Sequence, residues 1–259
     1  MSLSLQDRGS MHLMPCWNLT GYSGRRHMNK TVYSLGLGPG DHELITVKAK
    51  RILEESDVVV VPQSNEQGRS VAREVILHYI DASKIEMCYI PMTNNKEELV
   101  KRYTEVAEKI KEMIEQGKSV SYVTQGDPTI YSTSNYLTEK LVAAGVRVKH
   151  IPGISSINAA ASMLGLPLSV KKGNFGVYEM PGDPESVADL IQRHPTTVFM
   201  KVNNKLPTLV ETVKRIKPER AFLVKRIGLD GEAVYDMLNG ATPPESAYLS
   251  VAVIKRGGK

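Results

Sequence analysis

Cysteine is almost missing from this chain of 259 residues, and its two copies, Cys16 and Cys88, lie far apart with no C-x-x-C spacing. That excludes a disulfide framework and a cysteine-held zinc site. It suits a reducing compartment, so a cytoplasmic location is expected. Long apolar runs are missing too. The stretch VVVVP at 58–62 falls far short of the ~18 residues a membrane helix requires, and no membrane partner is expected. Residues 1–28 lack the continuous apolar core of a secretory signal. Aromatic residues make up only 6% of the chain, and the basic excess behind its net charge of +5 is scattered rather than gathered into a stripe. Scattered charge argues against a nucleic-acid surface, so nucleic acid is not an expected partner. A polyanionic small molecule fits the positive balance equally well.

What is present is 41% hydrophobic and 24% charged, which suits one large or two medium globular domains. Residues 1–28 show no hydrophobic periodicity and are expected to form a disordered extension, with the folded part starting near Asn29. From there strands are predicted over 31–36, 57–61, 84–90, 120–124 and 147–151, alternating with helices over 44–56, 70–79, 96–116, 134–144 and 155–164. Ile45, Lys48, Ala49, Ile52 and Leu53 repeat at helical spacing. The unbroken apolar run at 57–61 is typical of a strand buried on both faces. Gly117 can end its helix in the left-handed conformation. Beyond 164 strands gain weight, at 175–180, 197–202, 221–227 and 248–255, with helices at 185–193 and 205–216. The pattern predicts an α/β fold in two α/β domains, 29–150 and 151–259, the second built on a mixed sheet.

Four stretches carry candidate chemistry. In SLGLGPGDHELIT, residues 34–46, a strand runs into a glycine-rich turn, and glycine lets a backbone approach a ligand closely. The dinucleotide fingerprint G-x-G-x-x-G is not met. The third glycine comes one residue early, and Pro39 lacks the N–H that a phosphate would want. In VSYVTQGDPTIYSTSNYL, residues 120–137, β-formers stop at a Gln-Gly-Asp-Pro corner and leave through hydroxyl side chains. Turn chemistry alone accounts for such a corner, and Asp127 could simply cap it. The carboxyl end of a parallel strand is also where α/β proteins bind ligands. In HIPGISSINAAASMLGLP, residues 150–167, Ser155 and Ser156 open a helix whose free N–H groups suit a carboxylate, or serve as plain caps. In TVFMKVNNK, residues 197–205, Met200 suits either core or ligand, and Lys201 either an acidic substrate or water.

In their order and spacing, GLGPGDHELIT, QGDPTIYST, IPGISSINAAAS, VFMKV and YLSVAVIKR resemble the tetrapyrrole (corrin/porphyrin) methyltransferase family over almost all of residues 31–255. Gly-Asp-Pro followed by Tyr-Ser-Thr, then Pro-Gly-Ile-Ser-Ser and Met-Lys-Val, is most similar to members that methylate C20 of precorrin-2 or cobalt-factor II in cobalamin biosynthesis. The resemblance implies two α/β domains with an active-site cleft between them, a homodimer, and S-adenosylmethionine folded into the cleft. It places Pro39, Gln125, Gly126, Asp127, Ile130, Tyr131, Ser132, Ser155, Ser156 and Met200 beside the cofactor. Lys225, Arg226, Ile227, Leu249 and Ser250 fall toward its adenine, and Gly38, Arg69 and Lys201 toward the substrate. That substrate is a tetrapyrrole with many carboxylates, so a basic rim is expected, with Arg69, Arg73, Lys171, Lys172, Lys201 and Arg226 as candidates.

Methyl transfer from a sulfonium needs an enclosed, rather apolar site and good alignment more than a strong acid. No triad or metal-ligand cluster stands out, so no protein-held metal is expected and no catalytic side chain is named. Other readings stay open on sequence: methylation at another corrin position, methylation of RNA or protein on the same architecture, or a non-catalytic nucleotide-binding module.

Overall fold

The computed structural model describes residues 31–64, 70–91, 93, 95–244 and 246–257. The expected extension at 1–28 and the candidate Arg69 lie outside the described residues. In chain order the elements are β1 (Thr31–Gly36), α1 (Val47–Glu55), β2 (Val58–Gln63), α2 (Val71–Ile76), β3 (Ile85–Tyr89), α3 (Lys96–Glu115), β4 (Val120–Thr124), α4 (Ser134–Ala143) and β5 (Arg147–Ile151). They continue with α5 (Ser156–Met163), β6 (Phe175–Glu179), α6 (Pro184–Arg193), β7 (Thr196–Met200), α7 (Leu206–Ile216), β8 (Arg220–Lys225), β9 (Ala233–Asp236) and β10 (Ser250–Lys255).

The first five strands form an all-parallel sheet in the order β3-β2-β4-β1-β5. Such a sheet must be covered on both faces. Leu53 of α1 and Ile76 of α2 bury one face with Leu35 and Val61. Tyr103 and Ile110 of α3 and Leu141 of α4 bury the other with Val32 and Tyr122. This is why β2 reads as unbroken valine. The remaining strands form a mixed sheet, β6-β7-β10-β8-β9, in which only β6 and β7 run parallel. Helices α6 and α7 cover one face through Ile191 and Leu209. The other face receives α5, whose Ile157 and Ala160 pack on Val198, Val224 and Val253.

Two departures from the expected elements have physical causes. The predicted helix at 44–56 starts later, because Asp41 caps a short 3-10 turn at His42–Leu44 and Thr46 then caps α1 by accepting from Ala49 N at 3.2 Å. The strand β9 is not foreseen at all. It has four residues, sits at the sheet edge and exposes Val234, so it carries no buried alternation.

Strand order positions the site. From β1 the chain crosses to β2 on one side, and from β4 it crosses β1 to reach β5 on the other. Connections that leave two neighbouring strands in opposite directions open a crevice at their carboxyl ends.

Candidate active site

The crevice is real, and the mixed sheet closes it. The loops after β1 and β4 face the ends of β7 and β8 and the start of β10 across a cavity of about 480 Å³, within the usual range of small-molecule sites. On the parallel-sheet side the two loops are zipped together. Leu37 N donates to Thr124 O at 2.9 Å, Gly126 N to Gly38 O at 2.7 Å, and Gly38 N to Gly126 O at 3.3 Å.

Three of the glycines here make room for the protein's own backbone. A Cβ on Gly36 would lie 2.5 Å from Gly153 N, and one on Gly153 would lie 2.2 Å from Gly126 O. A Cβ on Gly40 would meet Ile227 O at 2.5 Å. These positions are small because the protein's own backbones cross there. Gly126 alone among them has open space beside it, and its φ of +73° favours glycine for another reason.

Asp127 is committed to structure. Its Oδ1 accepts from Thr129 N at 2.8 Å and its Oδ2 from Gly153 N at 3.1 Å, tying the corner to the chain after β5. The exit hydroxyls form a chain, Thr124 Oγ1 to Ser132 Oγ at 2.9 Å and Ser132 Oγ to Ser134 Oγ at 2.8 Å. Gln125 donates from Nε2 to Pro39 O at 2.8 Å.

The opposite wall is made differently. Among the described residues six non-glycine residues have positive φ, and four of them line this cavity: Lys201, Arg226 and Leu249 on this wall, and Tyr131 in the loop after β4 on the other. Left-handed backbone is costly for side-chain-bearing residues and concentrates at functional sites. Arg226 N donates to Leu249 O at 2.9 Å, which holds two of these residues against each other. Tyr131 reaches across the cavity mouth, its hydroxyl accepting from Glu179 N of β6 at 3.1 Å. Lys201 sits 5.8 Å from the centre of that ring and pairs with Glu179 at 3.4 Å.

Every residue that the sequence places beside the cofactor or its adenine, except Lys225, lines this one cavity, as does Lys201. Gly38 stands behind the lining and pairs with Gly126. Two of the proposed basic rim, Lys201 and Arg226, face the cavity. Arg73 is exposed on α2, and Lys171 and Lys172 are exposed in the loop between α5 and β6. Eight lining residues are not named from the sequence, among them Thr124, Thr133 and Tyr248. The first two belong to the hydroxyl-rich exit and could have been included on that ground; Tyr248 carries no local signal.

A second cavity, of about 390 Å³, adjoins the first and shares Thr124, Gln125, Thr133, Tyr248 and Leu249 with it. It opens over the carboxyl ends of β2 and β3 and is lined by Gln63, Ser70, Tyr103 and Tyr136. Burial pushes the Tyr103 phenol up, against the opposing hydrogen bond with Thr133, so it remains a neutral hydroxyl.

The larger-walled first cavity suits a compact group with both apolar and hydrogen-bonding parts. Ile130, Met200 and Ile227 supply apolar surface. Ser250 also lines it, and its buried Oγ has no hydrogen-bond partner among the described residues.

Comparison with known proteins agrees with this geometry. The family model described as Tetrapyrrole (Corrin/Porphyrin) Methylases matches residues 31–240, and the chain belongs to that family. It is similar to the probable cobalt-precorrin-2 C(20)-methyltransferase of Methanocaldococcus jannaschii, with 35% identity covering 88% of this chain and 96% of the relative. It is also similar to the cobalt-precorrin-2 C(20)-methyltransferase of Salmonella typhimurium, with 30% identity over 82% of this chain and 90% of the relative. Among solved structures, the uroporphyrin-III C-methyl transferase of Thermus thermophilus complexed with S-adenosyl homocysteine superposes with a TM-score of 0.60 at 22% identity, covering 87% of this chain and 97% of that one. Among the described residues no helix is long and apolar enough to cross a membrane.

Proposed function

We propose that this protein is an S-adenosylmethionine-dependent methyltransferase that acts on C20 of a precorrin-2-type tetrapyrrole in cobalamin biosynthesis. The names of the two relatives favour the cobalt form, cobalt-factor II, as acceptor. In this reading the first cavity holds the donor and the adjoining one the edge of the macrocycle. The observation that carries it is the shared wall: two cavities meet at the switch point of a parallel sheet, with only Thr124, Gln125, Thr133, Tyr248 and Leu249 common to both.

The donor supplies a methyl group on a sulfonium. Transfer forms a carbon–carbon bond, returns the sulfur–methyl pair to sulfur as a neutral thioether, and frees the proton of the acceptor carbon. The chain's own residues align and enclose. Apolar Ile130, Met200 and Ile227 exclude water from one side, and the Tyr131–Glu179 bridge narrows the mouth. The acceptor is a bridging carbon of a partly reduced, electron-rich macrocycle, so alignment supplies most of what the reaction asks of the protein. Lys201 and Arg226 stand on the donor's side of the shared wall, Lys201 paired with Glu179 and Arg226 donating from Nε to Asp230 O. The reading includes two domains, 29–150 and 151–259, and a homodimer, which light scattering would test.

The deciding experiment offers labelled S-adenosylmethionine with metal-free precorrin-2 or with cobalt-factor II. Gain of one methyl by mass, placed at C20 by NMR, is the expected result. Transfer to another carbon would move the protein to a different step, and no transfer to either tetrapyrrole would overturn the reading. An RNA substrate would betray itself by steep loss of affinity with added salt.

A further inference from the structure

One polar side chain belongs to both cavities and is held rather than free. Gln125 follows the last residue of β4, half-buried, and its Nε2 donates to Pro39 O at 2.8 Å. The backbone on either side is pinned as well, by Leu37 N to Thr124 O on one side and by the paired Gly38 and Gly126 on the other. A carboxamide carries donors on nitrogen and an acceptor on oxygen. With the nitrogen engaged by Pro39, the oxygen is turned away from it, and it takes no hydrogen bond from any described residue. The shared wall therefore displays one fixed carbonyl dipole. Its other members are two threonines, a tyrosine and a leucine, so no charged side chain lies on it among the described residues.

Building on the proposed function, we infer that Gln125 recognises the positive charge of the donor at the methyl group being transferred. Its Oε1 offers partial negative charge at the boundary the methyl must cross. The Pro39 bond prevents the rotation that would present N–H donors, which a sulfonium repels. A neutral amide suits this place better than a carboxylate. A full negative charge would favour the charged ground state, and that attraction fades as charge leaves sulfur, so it would slow transfer. The tether also couples the corner after β4 to the loop after β1, so the oxygen moves only if both loops move.

S-adenosylmethionine and S-adenosylhomocysteine differ by the methyl group and the charge, and their affinities isolate this role. Calorimetric titration of both into the full chain, into Gln125→Leu and into Gln125→Glu reads it without turnover. Gln125→Leu is expected to weaken S-adenosylmethionine about tenfold while leaving S-adenosylhomocysteine within about threefold. Gln125→Glu is expected to raise the preference for S-adenosylmethionine by about tenfold. Equal weakening of both ligands by Gln125→Leu would show a merely structural residue and overturn the inference, as would unchanged affinities. If Gln125→Leu fails to fold, the Gln125→Glu ratio decides, and an unchanged ratio overturns the inference. If the unaltered chain binds neither ligand, the proposed function falls and takes this inference with it.

Discussion

The two walls of the first cavity bend their chains by largely different means. The wall from the parallel sheet turns mainly with glycine, at 36, 38, 126 and 153, with Tyr131 its one left-handed non-glycine residue among the described residues. The wall from the mixed sheet turns with Lys201, Arg226 and Leu249 in left-handed backbone. In the first wall the limit is space, since Cβ atoms at Gly36 and Gly153 would collide with backbone. In the second it is strain, of order 1–2 kcal/mol per residue, tolerated because antiparallel pairing of β10 with β7 and β8 holds the strand ends in place. A wall limited by space can be damaged by one methyl group. A wall limited by strain can be relaxed by removing a side chain.

The sharpest break in the comparison is Gly153→Ala. Its Cβ would lie 2.2 Å from Gly126 O and 2.8 Å from the carbonyl carbon of Gly36, with only backbone to give way. We expect a loss of about 3 kcal/mol or more in urea denaturation. Gly126→Ala meets open space and bears only the backbone cost at φ +73°, so it should lose about 1 kcal/mol. If the two variants prove equally stable, crowding is not what selects glycine in this wall. Next in size is Asp127→Ala, which frees Thr129 N and Gly153 N together. A loss of about 2 kcal/mol is expected on the same denaturation curve, and an unchanged midpoint would show the corner to be held by its glycines alone. Smaller still is Tyr131→Phe, which removes the hydroxyl that accepts from Glu179 N. At this exposed edge the loss should stay under about 1 kcal/mol, while hydrogen exchange at the Glu179 amide speeds up; unchanged exchange there would remove the bridge from the account of the cavity mouth.

The same contrast explains how much could be read from the sequence. The parallel sheet is legible because burial on both faces leaves unbroken apolar runs, as in β2, and because its corners use turn residues with recognisable chemistry. The mixed sheet is legible in its strand interiors and not at its ends. The predicted strands at 197–202, 221–227 and 248–255 each include a residue at which the structure departs from β geometry: Lys201, Arg226 and Leu249. Lysine, arginine and leucine give no propensity warning of a left-handed turn, because tertiary context imposes it. Those same residues line the cavity. The part of the site that periodicity could not foresee is therefore the part where local preference is overruled: Lys201 stands out as a basic residue at a strand end, whereas only the family resemblance reaches Arg226 and Leu249. Tyr248, beside Leu249, shows the limit: neither periodicity nor resemblance singled it out, although it lines both cavities.

The finest test separates strain that serves the site from strain that merely ends an element. Lys217 has φ 50°, caps the end of α7 and is exposed away from both cavities, whereas Arg226 has φ 55° and lines the first cavity. Backbone relief by glycine should be alike at the two positions, about 1 kcal/mol, since their dihedrals nearly coincide. Lys217→Gly loses no contact of consequence, so it should gain that amount, a rise in Tm of about 2 °C, with donor affinity unchanged. Arg226→Gly also loses the hydrogen bond from Nε to Asp230 O and the cavity surface of its side chain, so its gain should be offset to about zero while donor affinity falls several-fold. The two Tm values and two calorimetric titrations decide the matter. If Arg226→Gly matches Lys217→Gly in stability and keeps full donor affinity, the left-handed residues of the second wall are ordinary strand terminators, and the strain gathered around the cavity has no part in binding.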